Sequence, residues 1–436
     1  MIAPLGVTTV TSESSASTVY NEDEPELPGI EERIGPNDWM IIDDDPIPGM
    51  RVNELPYPPV PPMPSRLKDT EATPEPVESC TEPTSDEKIC WSAANDPRST
   101  DQRSRLIDPQ PQPDWDIPIN FPQWCGSAEM PSDQLVTRTQ YCDVDFIFVT
   151  LSRYRNGTWV ETGTAYLGAM TYTYTSTTLN NWSSSLSIFL VSATGSGVGL
   201  KAFGLPDCSD TCTVGNHTFP QQSVLPTQSA RGIAFLSMDP ERGQAVTTNV
   251  NWNIRIDSAS GASGGTAYLT DRARVRCDDM VAGKRSGCVI ADSVPEVMYD
   301  AAVVDEFAAH VTAAQESNLP GSRQSRNPLS RMTDAKAADS NRTSVCKRSF
   351  VRPPGKTCDE YPFASTYEGG ISEFDPGRTF EFCSISEYPT GVTDWYGASA
   401  CMIDGPQNAA AGRFLRAKLY TPYRMLDADQ FYVGVE

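Results

Sequence analysis

The sequence predicts a multidomain protein: a disordered Pro/acid-rich leader, a β-sandwich-like all-β domain and a C-terminal α+β domain. Its 436 residues suit two or three domains of ordinary size. The composition changes near residue 120 and again near residue 341, and the 12 cysteines fall in close pairs along the chain. The predicted division is 1–120 leader, 121–290 β-rich domain, 291–340 helix and linker, and 341–436 C-terminal domain.

The leader is predicted to be poorly ordered. It holds more than half of the 36 prolines, including the run PYPPVPPMP, and acidic clusters such as NEDEPE and IDDDP. Proline removes hydrogen-bond donors, like charges repel, and few large apolar groups offset the entropy of ordering. The loop between Cys80 and Cys90 is expected to be a small ordered island within it.

Cysteine spacing predicts disulfides rather than a metal site. No pair has C-x2-C spacing, and only two histidines, His217 and His310, exist to complete a zinc site. Disulfides imply an oxidising compartment, so we expect a secreted, extracellular protein and interpret the start MIAPLGVTTV as mature or trimmed. No apolar run approaches the roughly 18 residues of a membrane span. The expected pairs are Cys80/Cys90, Cys125/Cys142, Cys208/Cys212, Cys277/Cys288, Cys346/Cys358 and Cys383/Cys401.

The net charge of −23 alone argues against a nucleic-acid partner. Its distribution weakens that objection, because residues 1–120 hold 24 acidic and only 8 basic side chains. The rest of the chain is therefore much closer to neutral.

Residues 121–290 are predicted to form an antiparallel β-sandwich. Apolar alternation occurs over 137–155, 162–178, 184–193 and 247–257, with Gly- and Asn-rich breaks between the runs. In the last run, Val250, Trp252, Ile254 and Ile256 share one face of a strand. No catalytic constellation is evident here, so we expect either a structural domain or a surface that contacts a cell wall or a partner.

Residues 295–317 carry the clearest helical spacing in the sequence. Pro295 suits the first turn of a helix, with Ser293 as a cap candidate. His310 lies on this predicted helix, where a lone histidine is expected to be structural. A polar linker follows at 319–331.

Two stretches after residue 341 carry chemistry: TCDEYPFASTYEGG at 357–370 and QNAAAGRFLRAKLYTPYRMLDADQFYVGV at 407–435. The first resembles the signature of the bacterial NucA/NucB deoxyribonucleases, C-D-E-[WY]-P followed by E-G-G or E-G-A. The second resembles the N-x-x-A-G segment and the last strand of that family. The whole also resembles the longer actinobacterial members, in which a β-rich region precedes the nuclease unit. The resemblance implies an α+β nuclease domain at 341–436.

Phosphodiester hydrolysis requires an activated water and neutralisation of charge on the phosphate, and carboxylates holding Mg²⁺ or Mn²⁺ supply much of both. Asp359 matches the key aspartate of the family, Glu368 the glutamate before Gly-Gly, and Asn408 the motif asparagine. The expected catalytic residues are Asp359, Glu360, Glu368 and Asn408, with Asp359 and Glu368 as metal ligands.

Local geometry leaves two alternatives for Asp359 and Glu360. If 358–362 is a strand, the two side chains point to opposite faces and only Asp359 lines the site. If the stretch opens a helix, both approach it. No histidine lies within 341–436, so water activation is assigned to a carboxylate or the metal unless His217 or His310 reaches across domains.

Further features of the domain suit DNA. Gly369 and Gly370 permit either a plain turn or a close approach of the phosphate backbone. A helix is expected over 409–419 with Asn408 at its N-cap, which offers its N–H groups to a phosphate. The expected DNA-binding residues are Lys347, Arg348, Arg352, Lys356, Arg413 and Arg416, joined by Lys418 and Arg424.

The sequence departs from the family pattern at two places. Gln407 stands where an aspartate is expected, which puts a ligand in doubt. Residues 371–406 form a longer insert, closed by Cys383/Cys401, which is expected to reshape substrate access.

The sequence as a whole predicts a secreted, metal-assisted endonuclease that cleaves DNA with little sequence selectivity. Two alternatives remain. One is a surface adhesion or carbohydrate-binding protein with a degenerate nuclease domain. The other is a secreted antibacterial DNase toxin, for which an inhibitor protein is expected.

Overall fold

The structure is a computed structural model that describes residues 51–53, 79–80, 86–93, 125, 134–208, 212–371 and 377–436. Regular structure in these residues is mostly β, as the sequence predicts. The first fourteen strands are β1 Arg51–Asn53, β2 Ser79–Cys80, β3 Glu87–Ala93, β4 Gln134–Val136, β5 Gln140–Arg155, β6 Thr158–Tyr174, β7 Asn181–Gly195, β8 Lys201–Cys208, β9 Thr213–Thr218, β10 Gln222–Ser223, β11 Ala230–Ser237, β12 Ala245–Asp257, β13 Ser263–Asp278 and β14 Gly287–Ile290.

All of these strands except β1 build two antiparallel sheets, most of which lie in the predicted β-rich region. The larger has the order β2-β3-β5-β6-β7-β11-β9, with β4 added beside β5, and the smaller has the order β10-β8-β12-β13-β14. The turn between β5 and β6 contains Asn156 and Gly157, both with positive φ (50° and 85°). Asn-Gly tolerates this conformation, and such turns match the twist of a hairpin.

One apolar core joins both sheets. Leu186 and Ile188 of the larger sheet and Trp252 and Ile254 of the smaller one belong to the same buried cluster. The face predicted for the strand at 247–257 is confirmed, because its four apolar residues are at most 1% exposed. Burying large side chains between two sheets is the dominant favourable contribution to such a fold.

Parts of the predicted leader are ordered strands: the ordered island expected around Cys80 and Cys90 is present, and β1 is ordered where the prediction was disorder. β2 and β3 add to the edge of the larger sheet through β5, and the Cys80–Cys90 disulfide joins them. β1 pairs elsewhere, with a strand of the C-terminal region. Pairing with an existing sheet edge supplies the hydrogen bonds that these short segments lack alone. The remaining residues of 1–120 lie outside the described part of the chain.

The C-terminal region mixes short strands with helices. Its core contains residues from both strands and helices, among them Val297, Phe307, Tyr361, Ile403 and Phe431. A π-helix, Leu415–Tyr420, follows the last α-helix directly. The elements are β15 Glu296–Tyr299, α1 Asp305–Glu316, β16 Leu329–Ser330, α2 Ala335–Val345, β17 Lys356–Tyr361, β18 Gly377–Arg378, β19 Ala398–Asp404, α3 Gly405–Phe414 and β20 Gln430–Val435.

The prediction of a single helix over 295–317 is wrong at its beginning. Residues 296–299 form β15, which pairs in parallel with β20, and the helix begins only at Asp305. Val297 and Tyr299 are fully buried by this pairing. The tertiary hydrogen bonds and burial available at the edge of β20 therefore outweigh the helical spacing.

The predicted boundary at residue 341 separates elements that pack together. Phe307, Val311 and Ala314 of α1 lie in the same core as Tyr361 and Phe363. A second, smaller cluster, with Val345 of α2 and Ala400 of β19, covers the other side of the strands β17 and β19.

A buried group of charged residues joins the β-rich and C-terminal regions, and we call it the junction cluster: Arg138, Arg276, Asp278, Arg424 and Asp429. The Arg424 guanidinium binds Asp278 through two bonds, Nε–Oδ2 2.9 Å and Nη2–Oδ1 2.6 Å. Arg276 donates to both oxygens of Asp429, and Arg138 Nη2 donates to Oδ2. Burial raises the pKa of Asp429, but the neighbouring guanidinium groups of Arg138 and Arg276 lower it by more, to about 2.

All six predicted cysteine pairs lie at disulfide distance. Within the described ranges, no helix combines the length and apolar character needed to cross a membrane.

Candidate active site

The candidate site is built on the antiparallel strands β17 and β19. Asp359 lies directly opposite Cys401, and Glu360 lies opposite Ala400. Adjacent residues of a strand point to opposite faces, so the first of the two local alternatives holds. Asp359 faces the core that contains α1 and α3, whereas Glu360 faces α2.

His310 of α1 meets Asp359 inside this core. The distance from His310 Nδ1 to Asp359 Oδ2 is 2.6 Å, and the distance from Nε2 to Ser399 Oγ is 2.9 Å. The histidine is fully buried, and the Asp359 side chain is 7% exposed. Helix α1 is positioned for this contact because Phe307, Val311 and Ala314 bury its apolar face.

Hydrogen-bond accounting fixes the direction of the central contact. A carboxylate oxygen accepts hydrogen bonds and does not donate them, so His310 Nδ1 is the donor to Asp359 Oδ2. Ser399 Oγ also lies 3.2 Å from the Tyr361 carbonyl oxygen, which accepts its proton. The other ring nitrogen, Nε2, is hydrogen-bonded to Ser399 Oγ, so contacts at both nitrogens hold the imidazole in one orientation.

Asp359 is oriented through one oxygen and keeps the other unengaged. Among the described residues, Oδ1 has no hydrogen-bond partner. Most buried carboxylate oxygens in proteins are hydrogen-bonded, so an unengaged one at the edge of solvent is a candidate for a water, a metal ion or a substrate.

Asn408 approaches the same strand from α3. Its amide nitrogen donates to Thr357 Oγ1 at 3.1 Å and to the Cys358 carbonyl at 3.2 Å, immediately before Asp359. A carbonyl accepts only, so the NH2 group faces the strand and the amide oxygen faces away from it.

The predicted position of Asn408 as an N-cap is wrong. Helix α3 begins at Gly405, its N-cap is Asp404, and Pro406 occupies the first turn. The Asp404 carboxylate accepts from the Gln407 backbone N–H, because it precedes the helix and Pro406 supplies no donor. Asn408 lies one turn further on, which leaves its side chain available to β17.

Gln407 connects two helices instead of facing the site. Its oxygen accepts from the Glu306 backbone N–H at 3.0 Å, and its nitrogen donates to Asp305 at 2.7 Å. The residue that departs from the family pattern therefore covers the N-terminus of α1, one turn before His310.

Glu360 and Glu368 have other partners than Asp359. Glu360 forms an ion pair with Arg342 of α2 at 3.2 Å. Glu368 accepts from the Ser330 backbone N–H at 2.8 Å, and burial raises its pKa despite that bond. Within the described residues, no contact brings either glutamate to Asp359.

The Gly-Gly pair after Glu368 has a structural constraint. Gly370 has φ +89°, and a Cβ on Gly369 would lie 2.4 Å from the Phe363 carbonyl oxygen. Both positions therefore require glycine for the turn itself.

The basic residues predicted to bind DNA fall into two groups. Lys347, Arg348 and Arg413 are exposed, and Arg416 is half-buried. Arg352 donates to the backbone carbonyls of Lys347, Arg348 and Phe350, and Lys356 forms an ion pair with Glu306. Arg424, also expected near DNA, is instead buried in the junction cluster.

The site carries hard oxygen donors but no dense group of charged ligands. No set of three His, Cys, Asp or Glu side chains in the described ranges is arranged to hold a metal. Asp359 Oδ1 and the Asn408 amide oxygen are the donor types that Mg²⁺ and Mn²⁺ prefer, and Mg²⁺ commonly keeps most of its waters. These two oxygens are therefore of the chemical type that would hold such an ion.

Sequence reasoning did not identify His310 and Ser399 as neighbours of Asp359. His310 was expected to be structural, and Ser399 lies in the insert at 371–406. The available signal was that His310 is one of only two histidines and lies in a helix whose other buried residues are apolar.

Comparison with known proteins identifies a family for the C-terminal region. Residues 310–434 match the model of the family Deoxyribonuclease NucA/NucB, so the match begins at His310 and includes Asp359, Ser399 and Asn408. No curated protein matches the chain. The match supports deoxyribonuclease activity, with DNA as the substrate. The C-terminal region of this chain thus carries a domain of the NucA/NucB deoxyribonuclease family.

Proposed function

We propose that the protein is an extracellular endonuclease that hydrolyses phosphodiester bonds of DNA with little sequence selectivity. The observation that carries this proposal is the unengaged Oδ1 of Asp359, whose other oxygen is bound to His310. A carboxylate held in this way is suited to accept a proton from water or to hold a metal ion. The six disulfide pairs support an extracellular location.

We assign the roles as follows. Asp359 is the catalytic carboxylate, and His310 is a positioning residue that holds it through the 2.6 Å bond. Asn408 binds the strand before Asp359 and, with it, provides the oxygens for Mg²⁺ or Mn²⁺. When bound, such an ion supplies positive charge against the phosphate and lowers the pKa of a bound water.

The packing favours a catalytic unit that begins before β15 rather than at residue 341. β15 pairs with β20, and α1 brings His310 to Asp359. The β-sandwich interpretation of the preceding two sheets rests on their common core. We assign that region a supporting role, because the junction cluster binds it to the loop before β20.

A plasmid-nicking assay tests the function. Full-length protein is incubated with supercoiled DNA in chelator, Mg²⁺ or Mn²⁺, and with RNA in parallel. We expect metal-dependent nicking of DNA by the wild type and a loss of at least about 10³-fold in rate for Asp359→Asn, which keeps the shape of the side chain but removes its charge.

The matched control is Asp339→Ala, which removes an exposed carboxylate of α2. We expect wild-type rates for this variant, and unfolding midpoints for both variants that show an intact fold. Wild-type nicking by a folded Asp359→Asn protein would rule out the role assigned to this carboxylate.

A further inference from the structure

A disulfide fixes a short aromatic segment beside Asp359. The 3₁₀ turn Glu381–Cys383 lies in the insert, and Cys383 is bonded to Cys401. Cys401 is the cross-strand partner of Asp359, and directly opposite residues of an antiparallel pair share one face. The turn is therefore attached to the same face of the strands as the candidate catalytic carboxylate.

Two phenylalanines of this segment form a stack that ends at His310. The rings of Phe380 and Phe382 are nearly parallel, with centroids 6.2 Å apart and planes inclined by 9°. The Phe380 ring lies 6.0 Å from the His310 ring. Phe382 is thus two ring contacts from the histidine that holds Asp359.

The outer ring of this stack is open to solvent. Phe382 is 59% exposed, whereas Phe380 packs against the core of the C-terminal region. An aromatic ring supported from one side and exposed on the other has the geometry of a stacking surface for a planar group.

We propose that Phe382 stacks against an unpaired base of the substrate strand, so that single-stranded or locally opened DNA is preferred over intact duplex. This inference rests on the proposed nuclease function and specifies the form of DNA that the Asp359 site takes. In a duplex the faces of the bases are covered by their neighbours, so only an unpaired or displaced base presents a face to the ring. Stacking on an aromatic ring accepts every base and is consistent with little sequence selectivity.

Charge at the turn favours a base over a phosphate as the group bound there. Glu381, next to Phe382, is exposed and repels phosphate. Attraction between DNA and this turn must therefore come from the Phe382 ring, while the sugar-phosphate backbone of the DNA strand passes towards Asp359.

Steady-state cleavage of matched single-stranded and fully paired oligonucleotides tests the inference. For Phe382→Ala we expect kcat/KM on the single strand to fall by about 5- to 150-fold, with a much smaller change on the duplex. Phe382→Trp should retain the preference, and Phe382→Leu, which is apolar but not aromatic, should not. Equal losses on both substrates, or wild-type behaviour of Phe382→Leu, would overturn the inference.

A control variant and a DNA-binding measurement distinguish a failure of this inference from a failure of the proposed function. Phe235→Ala removes another phenylalanine of similar exposure, 51%, in the β-rich region and should leave both rates unchanged. In chelator, the Asp359→Asn protein should bind a fluorescein-labelled oligothymidylate, and adding Phe382→Ala should weaken binding by a similar factor. Unchanged binding would contradict the stacking surface even in a protein without nuclease activity.

Discussion

The junction cluster and the candidate active site both bury carboxylates, but they satisfy them differently. In the junction cluster, Asp278 and Asp429 each accept bonds through both oxygens from arginine side chains. In the site, Asp359 is bound through one oxygen by His310. Both groups lie at comparable depth, with side chains at most 11% exposed.

Under the proposed function, this difference separates carboxylates that stabilise the fold from the carboxylate proposed to act on the substrate. A buried ion pair with every oxygen engaged offers nothing to a ligand, and removing one partner leaves an uncompensated charge. A buried carboxylate with one unengaged oxygen contributes less to stability and remains able to bind or accept a proton. Mutations in the two places should therefore change different quantities.

The largest effect is expected at the junction cluster. Arg424→Ala leaves Asp278 buried and without its bidentate partner, so we expect the free energy of unfolding to fall by about 3–5 kcal/mol. Urea unfolding followed by circular dichroism measures it. Activity per folded molecule should be unchanged, because Arg424 does not contact the site.

The control for this prediction is Arg274→Ala, which removes an ion pair with Asp292 whose arginine is 51% exposed. Exposed pairs contribute about 0–1 kcal/mol. If Arg424→Ala costs no more than this control, the junction does not hold the two regions together.

The second-largest effect is expected at low pH, where the junction cluster should contribute less to the free energy of unfolding. The pKa of Asp429 is lowered to about 2 in the folded protein, against about 3.9 for an unperturbed aspartate. Its stabilisation is present above pH 4 and is lost as the pH falls through the folded value near 2; a shift of this size corresponds to about 2–3 kcal/mol. Unfolding free energies measured from pH 5 to pH 2 should show this loss, and Asp429→Asn should show a correspondingly weaker dependence on pH.

At the site, His310 variants should change activity more than stability. We expect His310→Ala to lower kcat by about 10- to 100-fold with little change in KM, a size typical of residues that orient a catalytic ligand. His310→Asn, whose amide N–H can replace Nδ1–H towards Asp359, should recover part of the loss. The control is His217→Ala, an exposed histidine of the β-rich region. A large rise in KM, or no recovery with asparagine, would argue against a positioning role.

The smallest effect is expected at the surface. Arg413 is exposed on α3 and has no ion-pair partner among the residues that the structure describes. If it contacts a DNA phosphate, Arg413→Ala should weaken binding a few-fold and reduce the slope of log K against log salt by about 1. Arg242→Ala, an exposed arginine of the β-rich region, should leave the slope unchanged, and an equal change in both variants would exclude a specific contact.

Sequence periodicity correctly predicted features that depend on neighbouring residues of the chain. The alternation over 247–257 predicted a strand with a buried face, and Val250 and Trp252 are fully buried. The opposite orientation of Asp359 and Glu360 was one of two open alternatives, and the pairing of β17 with β19 decided between them. The beginning of α1 was not predicted, because residues 296–299 join β20, a strand more than 130 residues later in the chain.

The sequence by itself determined the β-rich composition and the six cysteine pairs, and it led to Asp359 as the proposed centre of the site. These follow from periodicity, spacing and a continuous motif, each of which is local. Only the tertiary structure decided what Asp359 contacts. His310, which contacts Asp359, lies 49 residues before it in the chain, and Ser399, which contacts His310, lies 89 residues after that histidine. These side chains meet because α1 packs on β17 and β19.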